Sequence, residues 1–258
     1  MRIAVCCKAV VTDAMLESTR VANNSLVSDS NEIYLNELDA YALEAALALK
    51  KDYNAETWAY TVGSLRSQEA LYMALAKGID NVARINSGTT SPELVARALT
   101  DALSKLNPQI VLVGVQSEDW MGGEIGPYIA EGLGASLGYA VVDISEVTEN
   151  HVRIEKEIGG GRKVEMILKL PAVLCVQSGI RQLQYISALR RRKVSNTTIN
   201  LLANLEDIEI PSNVKSMMNY HLLGVETPDT GTQAVMISGE NTEKARQILE
   251  ILKNNLSI

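Results

Sequence analysis

The residues best placed to do chemistry form one unbroken stretch, Gly114-Val115-Gln116-Ser117-Glu118-Asp119-Trp120-Met121-Gly122-Gly123-Glu124-Ile125-Gly126-Pro127. It follows the apolar run Ile110-Val111-Leu112-Val113, which has the length and β-branching of a buried parallel strand. Tyr128-Ile129-Ala130-Glu131-Gly132-Leu133 then reads as the start of a helix. Strand, glycine-containing loop and helix together present backbone N–H groups to a phosphate. Glycine allows the close approach, and the helix N-terminus supplies partial positive charge. The stretch is neither G-x-G-x-x-G nor a Walker loop. An ordinary βα turn has the same layout, and the segment alone does not separate the two readings.

The other reactive residue types read as structural. His151 and His221 are the only histidines, far apart and without the Cys or carboxylate spacing of a metal site. Neither a Ser-His-Asp nor a Cys-His arrangement can be built around them. Cys6, Cys7 and Cys175 lie in apolar, strand-like runs, an odd number that fits buried reduced thiols in a cytoplasm. Adjacent Cys6 and Cys7 point to opposite faces of a strand and cannot clamp a metal together. Met217-Met218 reads as packing. The basic run Arg190-Arg191-Arg192-Lys193 suits a phosphate or an acidic partner, although such runs at element ends are usually solvated.

The elements that must position the loop alternate between strand and helix. Residues 2–7, 57–62, 82–85 and 110–113 read as strands; residues 38–50, 69–76 and 92–106 read as helices. Leu38, Ala42, Ala45 and Leu49 form one apolar stripe, Gly78 stops the second helix, and Ser91-Pro92-Glu93 opens the third as cap and first turn. This order implies an α/β fold, a parallel sheet wrapped by helices with right-handed connections. Ligands in such sheets lie beyond the carboxyl ends of the strands. After Gly138 the pattern changes. Residues 152–158 and 163–168 alternate apolar and charged residues around Gly159-Gly160-Gly161, an antiparallel hairpin with one wet face. Pro171 to Val176 reads as one more buried strand.

From Ser178 onward the periodicity thins until an amphipathic helix over residues 243–252. About eighty residues with no core of their own depend on something else. The expected organisation is therefore an α/β domain over residues 1–177, followed by residues 178–258 as a loop and C-terminal arm packing on a partner subunit. Ala234-Val235-Met236-Ile237 and the last helix are too apolar for a free tail.

Composition excludes several classes. A formal charge of -7 argues against nucleic acid as main partner, and with 4% aromatics and no Phe there is no base-stacking platform. No apolar run reaches the roughly 20 residues that span a bilayer. The opening Met1-Arg2-Ile3-Ala4-Val5 enters a strand at once, without the features of a signal peptide, which leads to an expected cytoplasmic location.

Four segments resemble the β (small) subunit of electron transfer flavoproteins. Val5-Cys6-Cys7-Lys8-Ala9-Val10 is similar to the family's V-x-V-K-x-V, and Leu35-Asn36-Glu37-Leu38-Asp39-Ala40-Tyr41-Ala42-Leu43-Glu44-Ala45-Ala46 to its N-x-x-D-x-x-A-x-E-x-A. The third is Gly114 through Gly126. The fourth is Glu155-Lys156-Glu157-Ile158-Gly159-Gly160-Gly161 running into Leu170-Pro171-Ala172-Val173, similar to R-E-x-x-G-G…L-P-A-V. Jointly these are specific and cover nearly the whole chain. Gly114-Val115-Gln116-Ser117 and Pro171-Ala172-Val173-Leu174 look most like the branch that serves methylated-amine dehydrogenases.

The resemblance implies an adenine-nucleotide-binding, Rossmann-like fold and an electron carrier subunit rather than an autonomous enzyme. It implies an α subunit as partner, one redox FAD held mainly by that subunit, a dehydrogenase as donor, and a non-redox AMP within this chain. The implied AMP contacts are Cys6, Asn36, Glu37, Leu38, Asp39, Val62 and the loop Gly114, Val115, Gln116, Ser117, Glu118, Asp119, Trp120, Met121, Gly122, Gly123, Glu124 and Ile125, with part of the flavin-side wall near Leu38. Asn36 and Asp39 also suit capping of the following helix. Trp120, Met121, Gly123 and Glu124 depart from the family's Asp-rich loop, and Glu124 puts a carboxylate where a phosphate contact is expected. The family's partner-recognition loop, L-N-x-P-R-Y, is here Ile180-Arg181-Gln182-Leu183-Gln184-Tyr185, without proline, which places Ile180 as an exposed anchor for the dehydrogenase.

Two alternatives remain. Electron-bifurcating relatives hold a second FAD in place of AMP, but the loop lacks their Asp-Gly-Asp-Thr-like pattern. An ATP-using ligase-type enzyme of the same architecture needs a glycine-rich loop after the first strand. Lys8-Ala9-Val10-Val11-Thr12-Asp13 stands there instead.

Overall fold

The computed structural model describes residues 1–10, 19–22, 25–28, 33–88, 91–205 and 236–256. Val11, Thr12, Asp13, Met217, Met218, His221, Ala234 and Val235, singled out from the sequence, lie outside the described residues. In chain order the elements are β1 (Arg2–Cys6), β2 (Ala9–Val10), β3 (Thr19–Ala22), β4 (Ser25–Ser28), β5 (Tyr34–Leu35), α1 (Glu37–Tyr53), β6 (Glu56–Val62), α2 (Gln68–Lys77), β7 (Asn81–Asn86), α3 (Pro92–Leu106), β8 (Ile110–Gly114) and α4 (Ile125–Leu133). There follow β9 (Ser136–Val147), β10 (His151–Glu157), β11 (Lys163–Lys169), β12 (Ala172–Val176), α5 (Ala188–Val194), β13 (Asn200–Asn204) and α6 (Asn241–Leu256).

Nine strands make one sheet in the order β11-β10-β9-β12-β8-β1-β6-β7-β13. Every neighbouring pair from β9 to β13 is parallel, whereas β10 runs antiparallel to both β9 and β11. The α/β fold with an added antiparallel hairpin is the one expected. β2 pairs with β5 and β3 with β4 in two small separate sheets.

Period-2 alternation explains why both faces of the sheet are covered. Ile3 and Val5 of β1 share a buried cluster with Ala42 and Leu43 of α1 and Leu71 and Ala74 of α2. Ala4 and Cys6, between them in sequence, share the other cluster with Leu99 and Leu103 of α3 and Ile129 of α4. Strands buried on both sides must be apolar throughout, as Ile110 to Val113 and Ala172 to Val176 are. Ser91 accepts from the Leu94 N–H at the start of α3, with Pro92 in its first turn, and Gly78 ends α2 at φ +117°.

Chain order places a reversal beside β1. After β1 the chain fills β6 and β7 on one side, then crosses to β8 on the other. The carboxyl ends of β1 and β8 diverge there, and the crevice between them is where a doubly wound sheet receives its ligand.

Besides the short strands β2 to β5, three elements were not anticipated. β9 is 12 residues long and carries Ala140 at φ +57°. β13 pairs in parallel with β7 at the sheet edge, and α5 takes up the basic run with Arg190, Arg192 and Lys193 exposed. The described residues divide into two compact units, one within residues 1–20 and 27–205, the other within residues 21–26 and 236–256. In the second, α6 leaves Ile248, Leu249, Ile251 and Leu252 exposed.

The segment after β12 corrects one expectation. Ile180 is not an exposed anchor: its side chain is 3% exposed and belongs to the buried cluster that contains Val176 and Ile144. Gly179, at φ +81°, turns the chain back. Arg181 then holds it there, donating to Asp143 Oδ1 at 2.7 Å and to the Ile144 carbonyl at 3.2 Å. Further on, the Gln184 N–H donates to Glu44 Oε1 at 2.9 Å, and the Gln184 carbonyl accepts from Lys77 Nζ at 3.2 Å. Glu44 and Lys77 are themselves a buried ion pair. The exposed members of the segment are Leu183 and Tyr185, the latter 88% exposed. Ile180→Ala is therefore expected to behave as a core truncation, lowering unfolding free energy by about 2–5 kcal/mol in a denaturant titration. A change below about 0.5 kcal/mol would mean that the side chain is not packed.

Candidate functional site

The crevice beside β1 is a cavity of ≈ 270 Å³. Its walls come from three strand ends, Cys6 to Lys8 after β1, Tyr60 to Val62 of β6 and Val113 to Val115 at the end of β8. Asn36 and Asp39 close it from the start of α1, Pro92, Val95 and Leu99 from α3, and Gln116, Ser117, Asp119, Trp120 and Gly122 to Ile125 from the loop that runs into α4. Valine, leucine and the Tyr60 ring give one apolar end; amides, hydroxyls and carboxylates of the loop give a polar end. Thr61 lines the same space, and its buried hydroxyl has no hydrogen-bond partner among the described residues.

Of the residues singled out for this site, Cys6, Asn36, Asp39, Val62, Gly114, Val115, Gln116, Ser117, Asp119, Trp120, Gly122, Gly123, Glu124 and Ile125 are brought together on the cavity wall. Glu37, Leu38, Glu118 and Met121 are not part of that wall. The Glu118 carboxylate instead accepts from the Glu37 N–H at 3.0 Å, closing the N-terminus of α1. Leu38 is pressed against the end of β8, so that a Cβ on Gly114 would sit 2.8 Å from Leu38 Cβ. Met121 is exposed at the tip of the loop, at φ +56°. Cys7, Lys8, Tyr60, Thr61, Pro92, Val95, Leu99 and Val113 are wall residues that were not singled out. Apart from the exposed Lys8, burial in strands and helices is the same whether or not their ends meet a ligand.

Two polar side chains of α1 hold the loop and the strand ends in place. Asn36 stands at the N-cap of α1 but makes no side-chain cap hydrogen bond. Its Nδ2 donates to the Gln116 carbonyl at 3.1 Å, and its Oδ1 accepts from the Glu118 N–H at 3.1 Å. Asp39 accepts from the Lys8 N–H and from the Gly114 N–H, each at 2.8 Å. One carboxylate thus bridges the ends of β1 and β8. Gly114 is required there, because a Cβ would lie 2.6 Å from Asp39 Oδ1. Gly123, at φ +66°, lies under Tyr139, whose hydroxyl would be 2.5 Å from an added Cβ.

The thiols at the site are inert. Burial, with Asp39 a lesser cause, pushes Cys6 and Cys7 far above the usual thiol range, and burial alone pushes Cys175 up to about 12. A thiolate is the nucleophile and metal ligand, so none of the three is poised for either role. Among the described residues no group of three or more His, Cys, Asp or Glu is arranged to hold a metal ion. No described helix is long and apolar enough to cross a membrane.

Comparison with known proteins converges on one family. A family model described as the electron transfer flavoprotein domain matches residues 25–201. The chain is similar to the electron transfer flavoprotein subunit beta of Methylophilus methylotrophus, 31% identical over 264 residues and covering 98% of each chain. A Clostridium acetobutylicum protein of the same name is 29% identical over 190 residues, 72% of each chain. Protein FixA of Azorhizobium caulinodans is 27% identical over 194 residues, 71% of this chain and 68% of the other.

The Asp39 bridge has a consequence for pH dependence. Burial pushes its carboxyl up to about 6, against the opposing pull of the Lys8 and Gly114 N–H groups, the Asn36 side chain and the Lys8 charge. Because that value lies above the ordinary 3.8, the folded protein binds the proton more tightly than the unfolded chain. The stability so contributed is full below the lower value and is lost as pH rises through the upper one. A gap of about two pK units corresponds to about 3 kcal/mol. Asp39→Asn cannot titrate, so wild-type stability relative to this variant should fall by about that amount between roughly pH 4 and pH 7. Parallel profiles of melting temperature against pH would show that Asp39 does not titrate in this window.

Proposed function

We propose, from the premise that the chain belongs to the electron transfer flavoprotein family, that it is the β subunit of a heterodimeric electron carrier. Its partner is an electron transfer flavoprotein α subunit that holds most of one FAD. That flavin, when bound, supplies the redox chemistry, accepting electrons from a dehydrogenase and passing them to an acceptor. This chain supplies a rigid scaffold, a wall beside the flavin, and surfaces for the partners. Its own thiols are protonated and buried, consistent with a carrier whose redox group is the flavin.

The single observation that carries the nucleotide part of this reading is the position of the cavity. It opens at the reversal of strand order, where the ends of β1 and β8 diverge, the place a doubly wound sheet offers to a nucleotide. We assign AMP to it, in a structural role. The apolar wall of Val62, Val95, Leu99 and Tyr60 suits the base, and the polar loop suits the ribose and phosphate. A volume of ≈ 270 Å³ lies at the small end of ligand sites, matching a mononucleotide better than a whole second FAD.

The 178–258 segment provides the partner surfaces in this reading. With Ile180 buried, docking of the dehydrogenase falls to the exposed Tyr185 and Leu183, held in place by Arg181 and by the Glu44–Lys77 pair. The exposed apolar side of α6 is offered to the α subunit. We place the subunit in the cytoplasm, the location expected from the sequence.

Co-expression with an α subunit should give a yellow heterodimer that on denaturation releases one FAD and one AMP. Two FAD and no AMP would replace the structural nucleotide with the electron-bifurcating arrangement. A stable yellow product from this chain alone would overturn the heterodimer. Tyr185→Ala should slow reduction of the flavin by the donor dehydrogenase while leaving the flavin spectrum and melting temperature unchanged. An unchanged reduction rate would remove Tyr185 from the docking surface.

A further inference from the structure

A buried ion pair adds little net stability, because removing two charges from water offsets most of their attraction. Apolar side chains of similar volume join two helices as well or better. Yet Glu44 of α1 and Lys77 of α2 meet as such a pair, their side chains only 7% and 6% exposed. What apolar side chains cannot do is bind backbone. Glu44 Oε1 accepts from the Gln184 N–H at 2.9 Å, and Lys77 Nζ donates to the Gln184 carbonyl at 3.2 Å. Both polar backbone groups of one residue are thus held, each by a charge of the sign it needs.

The grip falls where the chain has little else to fix it. Residues 182–187 belong to no helix or strand. Ile180 and Ile199 are buried, and no residue between them is. Polar contacts set the path of this stretch instead. Arg181 is tied to Asp143 at 2.7 Å, Gln184 to the Glu44–Lys77 pair, and Arg191 of α5 to Glu69 of α2. Glu69 and Lys77 stand near opposite ends of α2, so the chain from Gln184 to Arg191 is fastened to one helix at two points. The Arg191 side chain is half exposed, which makes its contact weak, and the buried pair is the firmer fastening. Between the two points Tyr185 and Leu189 stand 88% and 79% exposed.

Resting on the reading of Tyr185 and Leu183 as the donor-docking surface, we propose that Glu44 and Lys77 are positioning residues for docking. They act through the Gln184 backbone and present Tyr185 and Leu189 in the conformation that the dehydrogenase binds. A loop that must be ordered at the moment of association subtracts that ordering from the affinity, and one fastened beforehand does not. The pair is therefore kept for its hold on a loop rather than for the packing of α1 on α2.

The test uses the αβ heterodimer and the double variant Glu44→Leu/Lys77→Met, which puts apolar groups of similar size in place of the charges. Its melting temperature should equal or exceed that of the wild type. Amide hydrogens in residues 182–190 should exchange about tenfold faster or more, while those of α1 and α2 keep their wild-type rates. The donor is a methylated-amine dehydrogenase that reduces the wild-type heterodimer. With it, the KM for the double variant should rise by about tenfold, with kcat and the flavin spectrum unchanged. Glu44→Gln keeps an acceptor for the Gln184 N–H but leaves Lys77 without its counter-charge. It should melt lower than the double variant and yet raise KM less. A double variant that melts far below the wild type would show that the pair is kept for stability, and a wild-type KM in it would show that the hold on Gln184 is irrelevant to docking; either result overturns the proposal. Tyr185→Ala measured alongside separates the two failures. A raised KM in Tyr185→Ala alone confines the failure to Glu44 and Lys77, and an unchanged KM in both variants removes the docking surface as well.

Discussion

The site depends on one buried carboxylate. Parallel strands that diverge at a reversal of strand order expose N–H groups with no ladder partner, and a buried N–H left unpaired costs roughly 1–3 kcal/mol. At this crevice two such groups, Lys8 N–H and Gly114 N–H, both point at Asp39. Asp39 lies in the first turn of α1, so the position of that helix, the separation of β1 and β8, and the start of the loop after β8 are fixed together. Burial raises the free energy of the charged form, and the two backbone donors offset part of that. The result is a rigid wall made without a ligand. Asn36 extends the same device one turn back, holding the loop through Gln116 and Glu118.

A second constraint follows from the close approach of backbone to backbone. Gly114 packs beneath Asp39 and Leu38, Gly126 lies against Cys175, and Gly123 beneath Tyr139. At Gly126 a Cβ would sit 2.2 Å from Cys175 Sγ. That thiol therefore fills space between β12 and the start of α4, and its elevated pKa belongs with packing rather than reactivity.

The sheet was legible wherever both faces are buried, because an apolar run flanked by helix signals leaves little choice for Ile3, Val5, Ile110 to Val113 and Ala172 to Val176. It was not legible at the edges. β13, Asn200-Leu201-Leu202-Ala203-Asn204, pairs on one side only and exposes two leucines, so its sequence carries no alternation. β9 is broken in pattern by Ala140 at positive φ and by a register shift against β12. Ile180 shows a different limit. One isoleucine in a polar loop buries or exposes itself according to backbone direction, which Gly179 and the Arg181–Asp143 contact decide, and no local spacing encodes that. The loop from Gly114 to Ile125 was legible as a candidate site through its glycines between strand and helix, a layout that an ordinary βα turn shares. The apolar half of the cavity was not, since Val95, Leu99 and Val113 look like any core residues.

The placement of carboxylates at the helix starts connects stability with ligand choice. A helix N-terminus facing an empty crevice leaves N–H groups unsatisfied and a partial positive charge exposed. Glu118 at α1 removes that problem for the free chain, at the expense of the attraction the same N-terminus would offer an anion. A site so preorganised gains from filling the apolar space beside Val62, Val95 and Leu99. Any occupant that binds only the folded state adds to stability by mass action, whether or not it is charged. A structural ligand here is then best understood as a wedge between β1, β6 and β8. On the proposed reading, an aromatic base would fill the apolar space beside Val62, Val95 and Leu99 at the strand reversal.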